Sequence, residues 1–260
     1  MQEIRLLIDS PLHGPANMAR DEVLLQPCEA HASGPVLRFY AWCPPTISLG
    51  YFQDIVDFET QPSPINGLDV VRRTTGGGAI LHDLEVTYSL VLPIDHTLIH
   101  NKPNRLYSLA HDAIIRAMDG EARLYGCGNG ACDESAQRGP FFCFARRHGL
   151  DVVIHDGAGT NGVSKIAGSA QRRTRRAVLQ HGSIMLDSRF AQQPIARWKQ
   201  VDPRIDVARA IKRLVSAFEE SFEMPTRPSR WTPDELAAAI PFEKQYGSEE
   251  WTRHRRRLTA

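Results

Sequence analysis

Three glycines in a row, Gly76-Gly77-Gly78, restrict the folding of this chain more than any other feature of its sequence. Each loses backbone entropy when it is fixed, so a triplet directly after a strand-like run marks a place where another group approaches the main chain closely or where φ turns positive. The flanks, Arg72-Arg73-Thr74-Thr75 before and Ala79-Ile80-Leu81-His82-Asp83 after, add cations and a His-Asp pair. They favour a binding loop over a bare glycine-rich turn, which is the plain alternative. The loop is neither of the common phosphate cradles: no Gly-Lys-Ser/Thr ending is present and no helix is predicted to follow.

The surrounding pattern puts this loop between two strands, residues 68–73 and 85–92. Upstream, residues 3–8 read as a strand and 17–25 as an amphipathic helix. Residues 36–42 and 46–49 read as strands split at Cys43-Pro44-Pro45, because a proline pair cannot continue a central ladder. Downstream, Leu106, Leu109, Ala110, Ala113, Ile114 and Ala117 recur at helical spacing, and Gly120 supplies a stop. Residues 127–140 predict a long surface loop. Strands follow at 151–154, 165–172 and 178–186, with residues 155–162 as a hairpin tip between the first two. Residues 205–222 predict a helix, and Thr232-Pro233-Asp234-Glu235 has the residues of a capped helix start. The closing His254-Arg255-Arg256-Arg257 reads as a solvated end. Strands and helices do not alternate regularly, so the fold class is α+β: a mixed, mostly antiparallel sheet flanked by helices. Residues 1–225 form the catalytic unit in this reading, and 226–260 a short helical tail.

Charge is nearly balanced, with 31 Lys+Arg against 30 Asp+Glu, which removes any general electrostatic reason to expect nucleic acid or membrane as a partner. Five irregularly spaced cysteines (Cys28, Cys43, Cys127, Cys132, Cys143) behind an N-terminus without an apolar leader predict free thiols in a reducing compartment. No apolar run reaches the roughly 18 residues of a membrane span, so a cytoplasmic protein is expected. No metal site is expected.

The segment Arg72-Arg73 through His82-Asp83 resembles the Arg-Arg-x-x-Gly-Gly-Gly-Ala-x-x-His-Asp motif of the lipoate ligase and octanoyltransferase family. Four further blocks are similar to that family in the same order: Gly14 to Leu25, Arg38 to Gln53, Lys165-Ile166-Ala167-Gly168-Ser169-Ala170-Gln171, and Leu179-Gln180-His181-Gly182-Ser183-Ile184. The resemblance covers about residues 1–225. It implies the catalytic-domain fold of biotin and lipoate ligases, related to class II synthetases. It also implies that Lys165 touches the acyl carbonyl or carboxylate, where an ammonium stabilises developing negative charge. Gly76, Gly77, Gly78, Ala79 and His82, with Gly168, Ser169, Ala170, His181 and Gly182, would shape the acyl pocket, and Arg72 and Arg73 would meet an acidic carrier.

Two branches of the family differ in chemistry. The ligases activate a free acid with ATP and magnesium; the transferases take an octanoyl group from acyl carrier protein through a cysteine and need no cofactor. Cys143-Phe144 is similar in position to the Cys-Phe of ligase-like octanoyltransferases, which implies Cys143 as nucleophile, with Lys165 favouring the thiolate and steadying the oxyanion. The plain alternative is a structural thiol in the apolar run Phe141-Phe142-Cys143-Phe144. The acceptor would be a lysine of a lipoyl-domain protein or of the glycine cleavage carrier. Three departures from the transferases stand out: Ala145-Arg146-Arg147-His148 follows Cys-Phe where Asp-Ala-Pro-Ser is usual, the hairpin before Lys165 is longer, and the glycine loop is closer to the ligase version. Against a self-sufficient ligase, Leu150 stands where those enzymes commonly have Asn, and the chain stops soon after the stretch from Lys244 to Trp251, which resembles a ligase's junction to its accessory domain. A ligase catalytic subunit with a separate accessory protein is the second reading. A silent acyl-binding member is the third, which the presence of both Cys143 and Lys165 argues against.

Overall fold

The computed structural model describes residues 2–29 (side chains to 26), 34–102, 104–126, 139–157 and 162–258. The elements begin with β1 (Ile4–Ile8), α1 (Gly14–Glu29), β2 (Val36–Tyr40), β3 (Thr46–Leu49), α2 (Ile55–Glu59) and β4 (Asp69–Arg72). They continue with β5 (Ile80–His82), β6 (Glu85–Pro93), α3 (Arg105–Ala117), β7 (Ala122–Leu124), β8 (Val152–His155), β9 (Val163–Arg173) and β10 (Ala177–Met185). The chain closes with α4 (Val207–Phe222), β11 (Thr226–Pro228), α5 (Pro233–Tyr246) and α6 (Glu249–His254).

Eight strands make one sheet in the order β11-β1-β2-β6-β10-β9-β8-β7. Strand β1 is parallel to both its neighbours, and the remaining pairs are antiparallel. The fold is therefore α+β with a mixed, mostly antiparallel sheet flanked by helices. Sequence pattern alone did not separate off the second sheet, β4-β3-β5. The interruption at Cys43-Pro44-Pro45 ends the β2 ladder, and the chain then pairs away from the main sheet.

Central strands β6 and β10 are buried along almost their whole length because helices cover both sheet faces. Side chains alternate between those faces. Val86, Tyr88, Leu90 and Leu92 enter the core beneath α3 and α4, with Ile114, Leu214 and Phe218. Val91 and Leu179 point the other way, toward Leu7, Leu24 and Leu25. Each such apolar side chain contributes about 1.5–3 kcal/mol on burial. Further along this second face, Thr87, Ser89, His181 and Ser183 replace the aliphatics, and buried Asn17 and Asp21 of α1 lie against it. Here the sheet gives up apolar packing and lines a cavity instead.

Residues 226–260, expected as a helical tail, open with an edge strand: β11 pairs with β1. Thr232 and Glu235 form the reciprocal capping box read from the sequence. Helix α5 packs on α1, and the Trp251 indole of α6 donates to the Arg72 carbonyl at 2.8 Å. Most of the loop at 127–140 and the tip of the 155–162 hairpin lie outside the described residues, as do Cys127 and Cys132.

Candidate active site

Two of the three glycines are required, Gly77 by its backbone conformation and Gly78 by what packs on it. Gly77 has φ +93°, in the left-handed region that favours glycine. A Cβ on Gly78 would lie 2.9 Å from the Cys143 amide nitrogen and 3.0 Å from the Phe141 carbonyl, so the chain carrying the thiol runs directly against the loop. Ala79 completes the attachment through its main chain. Its N–H donates to Phe141 O at 2.9 Å, and its carbonyl accepts from the Cys143 N–H at 2.8 Å. A single 3-10 turn, Cys143–Ala145, then presents the half-buried thiol.

Lys165 reaches the same point from the main sheet. Between β8 and β9 the register slips: Val153 pairs with Lys165, yet Val152 pairs with Ala167. Such a bulge redirects a side chain relative to the regular alternation. Lys165 is 3% exposed, donates to Asp151 Oδ1 at 2.8 Å and to Cys143 Sγ at 3.7 Å, and its ammonium lies 5.3 Å from the Phe144 ring centre. Burial disfavours that charge, but Cys143 and Asp151 outweigh it and hold the lysine above its ordinary pKa. Gly168 leaves the space: a Cβ there would come within 2.4 Å of Lys165 Cε.

Two cavities meet at Cys143. An apolar slot of about 490 Å³ lies between the main sheet and the small one, walled by Met18, Tyr40, Trp42, Ile80, His82 and Phe144. Gly168, Ser169, Ala170, His181 and Gly182 also line it. A wider cleft of about 1160 Å³ adjoins it and contains Lys165, Asp151, Tyr107 and His111. Gly76, Gly77, Cys143, Ser169 and Ala170 belong to both, so the thiol sits at the junction. Gly78 lines only the wider cleft, and Ala79 lines neither.

Arg72 and Arg73 differ from expectation. Arg72 is 0% and Arg73 3% exposed, so neither meets a carrier. Arg72 donates to the carbonyls of Gly50, Tyr51, Gln53 and Thr252, fastening a loop and the C-terminal helix to β4. Arg73 donates to Ser48 O at 2.8 Å, Gly76 O at 2.8 Å and Gly78 O at 2.7 Å, which holds the glycine loop in shape. Burial pushes both guanidiniums down to about 10, still charged near neutrality.

Buried polar groups brace the slot. His82 stacks on Trp42 at 3.8 Å and hydrogen-bonds Glu85 and Ser48, each at 2.7 Å; burial moves its pKa down, leaving it neutral. His181 bridges Asp21 (3.2 Å) and Thr75 (2.7 Å), tying α1 to the start of the loop. Burial of Asp21 favours its neutral form, yet His181, Arg38 and Ser89 prevail and keep the carboxyl below its usual range.

Three braces were missed by sequence reasoning: Asp21, Asp151 and His111. The Leu150 carbonyl can only accept, so His111 Nδ1 carries the proton bonded to it, and burial pushes the ring down to about 4. Nε2 then accepts from the Ser169 hydroxyl at 2.7 Å, while Tyr88 bonds the same oxygen at 2.6 Å. A histidine at 111, inside the apolar stripe of α3, and Asn17 with Asp21 one helical turn apart were the available signals.

A half-buried thiol and a buried ammonium thus meet where the apolar slot joins the wider cleft. Residues 13–216 match the family model described as the lipoyl protein ligase A/B catalytic domain, and the chain belongs to that family. Among its relatives is octanoyltransferase LipM of Moorella thermoacetica, 32% identical over 278 residues, covering 96% of this chain and 97% of the relative. Octanoyltransferase LipM of Brevibacillus brevis is 29% identical over 286 residues, covering 98% and 100%. Similar solved structures include lipoate-protein ligase A bound with ATP (TM-score 0.73, 23% identity, covering 96% and 98%) and a bi-partite lipoate protein ligase of Thermoplasma acidophilum (TM-score 0.69, 22% identity, covering 100% of each). At those identities the solved structures establish the fold. Among the described residues no helix is long and apolar enough to cross a membrane.

Proposed function

We propose that this enzyme is a protein octanoyltransferase of lipoate metabolism that works through a thioester on Cys143. The observation that carries the reading is the 3.7 Å approach of Lys165 Nζ to Cys143 Sγ where the apolar slot opens. The Cys143 thiolate, paired with the ammonium, attacks the carbonyl of an octanoyl thioester whose chain occupies the slot. A new C–S bond forms, the donor C–S bond breaks, and the donor leaves as a thiol carrying the proton that Cys143 gave up. The Lys165 ammonium faces the oxyanion formed on the way, in a site that excludes much of the water. The neutral amine of an acceptor lysine then attacks: a C–N bond forms, the C–S bond to Cys143 breaks, and the amine's proton restores the thiol. The donor thioester already holds the activation, so the route uses neither ATP nor a metal.

The proposed donor is octanoyl acyl carrier protein, the proposed acceptor a lipoyl-domain protein or the glycine cleavage carrier, and the proposed setting the cytoplasm. Relatives named octanoyltransferase, matched over nearly their whole length, support this reading over the ATP-dependent one. Incubation with octanoyl carrier protein and intact-mass measurement should reveal an octanoyl adduct that Cys143→Ala abolishes. An adduct that survives Cys143→Ala overturns the assignment, and strong ATP–pyrophosphate exchange with free octanoate or lipoate would favour the ligase reading.

A further inference from the structure

Lys165 is itself an amine beside the reacting sulfur. Its Nζ lies 3.7 Å from Cys143 Sγ, so a thioester on that sulfur puts an acyl carbon within reach of the enzyme's own lysine. Were the amine neutral, it would attack: a C–N bond would form, the C–S bond would break, and the amine's proton would return to the sulfur. The octanoyl group would then end as a stable amide on Lys165 and the enzyme would be spent. Turnover therefore needs a neutral acceptor amine and a protonated Lys165 in the same site. Burial works against the second condition, for Lys165 is 3% exposed and the nearby Arg147 cation disfavours another positive charge. Buried lysines that lack a partner titrate as low as about 5–6.

Two anions oppose this, Cys143 and Asp151. Acylation removes the first, because a thioester sulfur carries no charge. Asp151 remains, with Oδ1 at 2.8 Å from the ammonium and Oδ2 accepting from the His148 N–H at 2.8 Å. Both partners are pinned through their main chains. Asp151 N–H donates to the His148 carbonyl at 2.9 Å, its carbonyl accepts from Tyr125 N–H at 2.8 Å, and the Lys165 carbonyl accepts from Ala196 N–H at 2.8 Å. Among the described residues lining the cleft there is no second carboxylate. Burial keeps Tyr107 and His111 neutral, so neither replaces the lost charge. We propose that Asp151 is a positioning residue whose ion pair holds Lys165 as an ammonium in the acyl-enzyme and so prevents the octanoyl group from passing from Cys143 to the enzyme's own lysine. This inference rests on the transferase reading above and adds the group that guards it against self-acylation.

The test loads the wild-type enzyme and Asp151→Asn with octanoyl carrier protein, removes the donor, and follows the acyl-enzyme without an acceptor. Hydroxylamine cleaves a thioester and spares an amide, and peptide mass locates the adduct; scoring the fraction of loaded enzyme removes any effect of slower loading. The wild-type adduct should stay hydroxylamine-labile on Cys143. In Asp151→Asn it should pass to Lys165 at least about tenfold faster, since loss of an opposite charge at this range moves a pKa by roughly 1–3 units. Transfer should quicken as pH rises, Asp151→Glu should suppress it in part, and the resistant adduct should vanish when Lys165→Arg is added. A second measurement needs no change at Asp151: in Cys143→Ser, where the sulfur is gone, the carbon-13 signal of Lys165 Cε should still report an ammonium at about pH 8. A neutral Lys165 there overturns the inference, as does an Asp151→Asn thioester that lasts as long as the wild type's. If the wild-type enzyme forms no thioester on Cys143, the transferase reading falls and this inference falls with it; a wild-type thioester with no transfer in Asp151→Asn removes this inference alone.

Discussion

Gly168→Ala should disable the site while leaving the protein folded. The added Cβ would stand 2.4 Å from Lys165 Cε and 2.7 Å from Nζ, with its next neighbour, Asp151 Oδ1, at 3.4 Å. Carbon atoms rest about 3.5–4.0 Å apart, so the end of the lysine must retreat by about 1 Å. It can do so because its terminal atoms are flexible and no main-chain atom is among the nearest three contacts. Overpacking of this kind costs about 1–3 kcal/mol, and replacing glycine where φ is ordinary returns about 0.4–1. The net loss is on the order of 1 kcal/mol, a fall in Tm of about 2–4 °C for a chain of this size. Catalysis suffers far more. The ammonium leaves its position 3.7 Å from Cys143 Sγ, and a displacement of about 1 Å in a catalytic group can cost on the order of 100-fold. Single-turnover acylation of Cys143, followed by mass, reads the first effect and a melting curve the second. Acylation at the wild-type rate would refute the placement of Lys165, and loss of the folded state would refute the claim that only a flexible side chain is in the way.

Gly182→Ala should behave in the opposite manner, because its Cβ would meet the Gly168 carbonyl at 2.6 Å and Tyr88 Cε1 at 2.8 Å. Neither can yield easily, so urea unfolding should show a loss of about 2 kcal/mol or more; an unchanged midpoint refutes the packing argument. Arg72→Ala should destabilise by about 1–3 kcal/mol by stranding the carbonyls of Gly50, Tyr51, Gln53 and Thr252, and an unchanged unfolding midpoint would show that the fastening is not structural. His111, held down to about 4 in the folded state against an ordinary 6.5, is neutral where the unfolded chain is protonated. Between those values the unfolded state binds more protons, so stability falls as pH drops from about 6.5 toward 4, by at most about 3 kcal/mol. His111→Gln should flatten that limb, and identical pH slopes in the two proteins would exclude this histidine as a cause.

Local pattern made the longer strands, the main helices and the capped start of α5 legible, because periodicity and capping act within a few residues, but not the three-residue strands β5, β7 and β11. It did not tell Arg72 and Arg73 from surface cations. Guanidiniums that satisfy buried carbonyls and guanidiniums that meet a carrier are written with the same letters, and only burial separates them. Asp151 was equally silent, since a carboxylate becomes informative only once a lysine lies 2.8 Å away.

The sequence alone pointed to a close approach or a positive φ at Gly76-Gly77-Gly78, and the structure has φ +93° at Gly77 and main-chain contact at Gly78. What presses there was decided by tertiary structure. Residue 143 is brought to the loop by main-chain hydrogen bonds to Ala79, and residue 165 is turned toward it by a slip in strand register. Backbone contacts between segments more than sixty residues apart, and a bulge that depends on the neighbouring strand, leave no local periodicity to read.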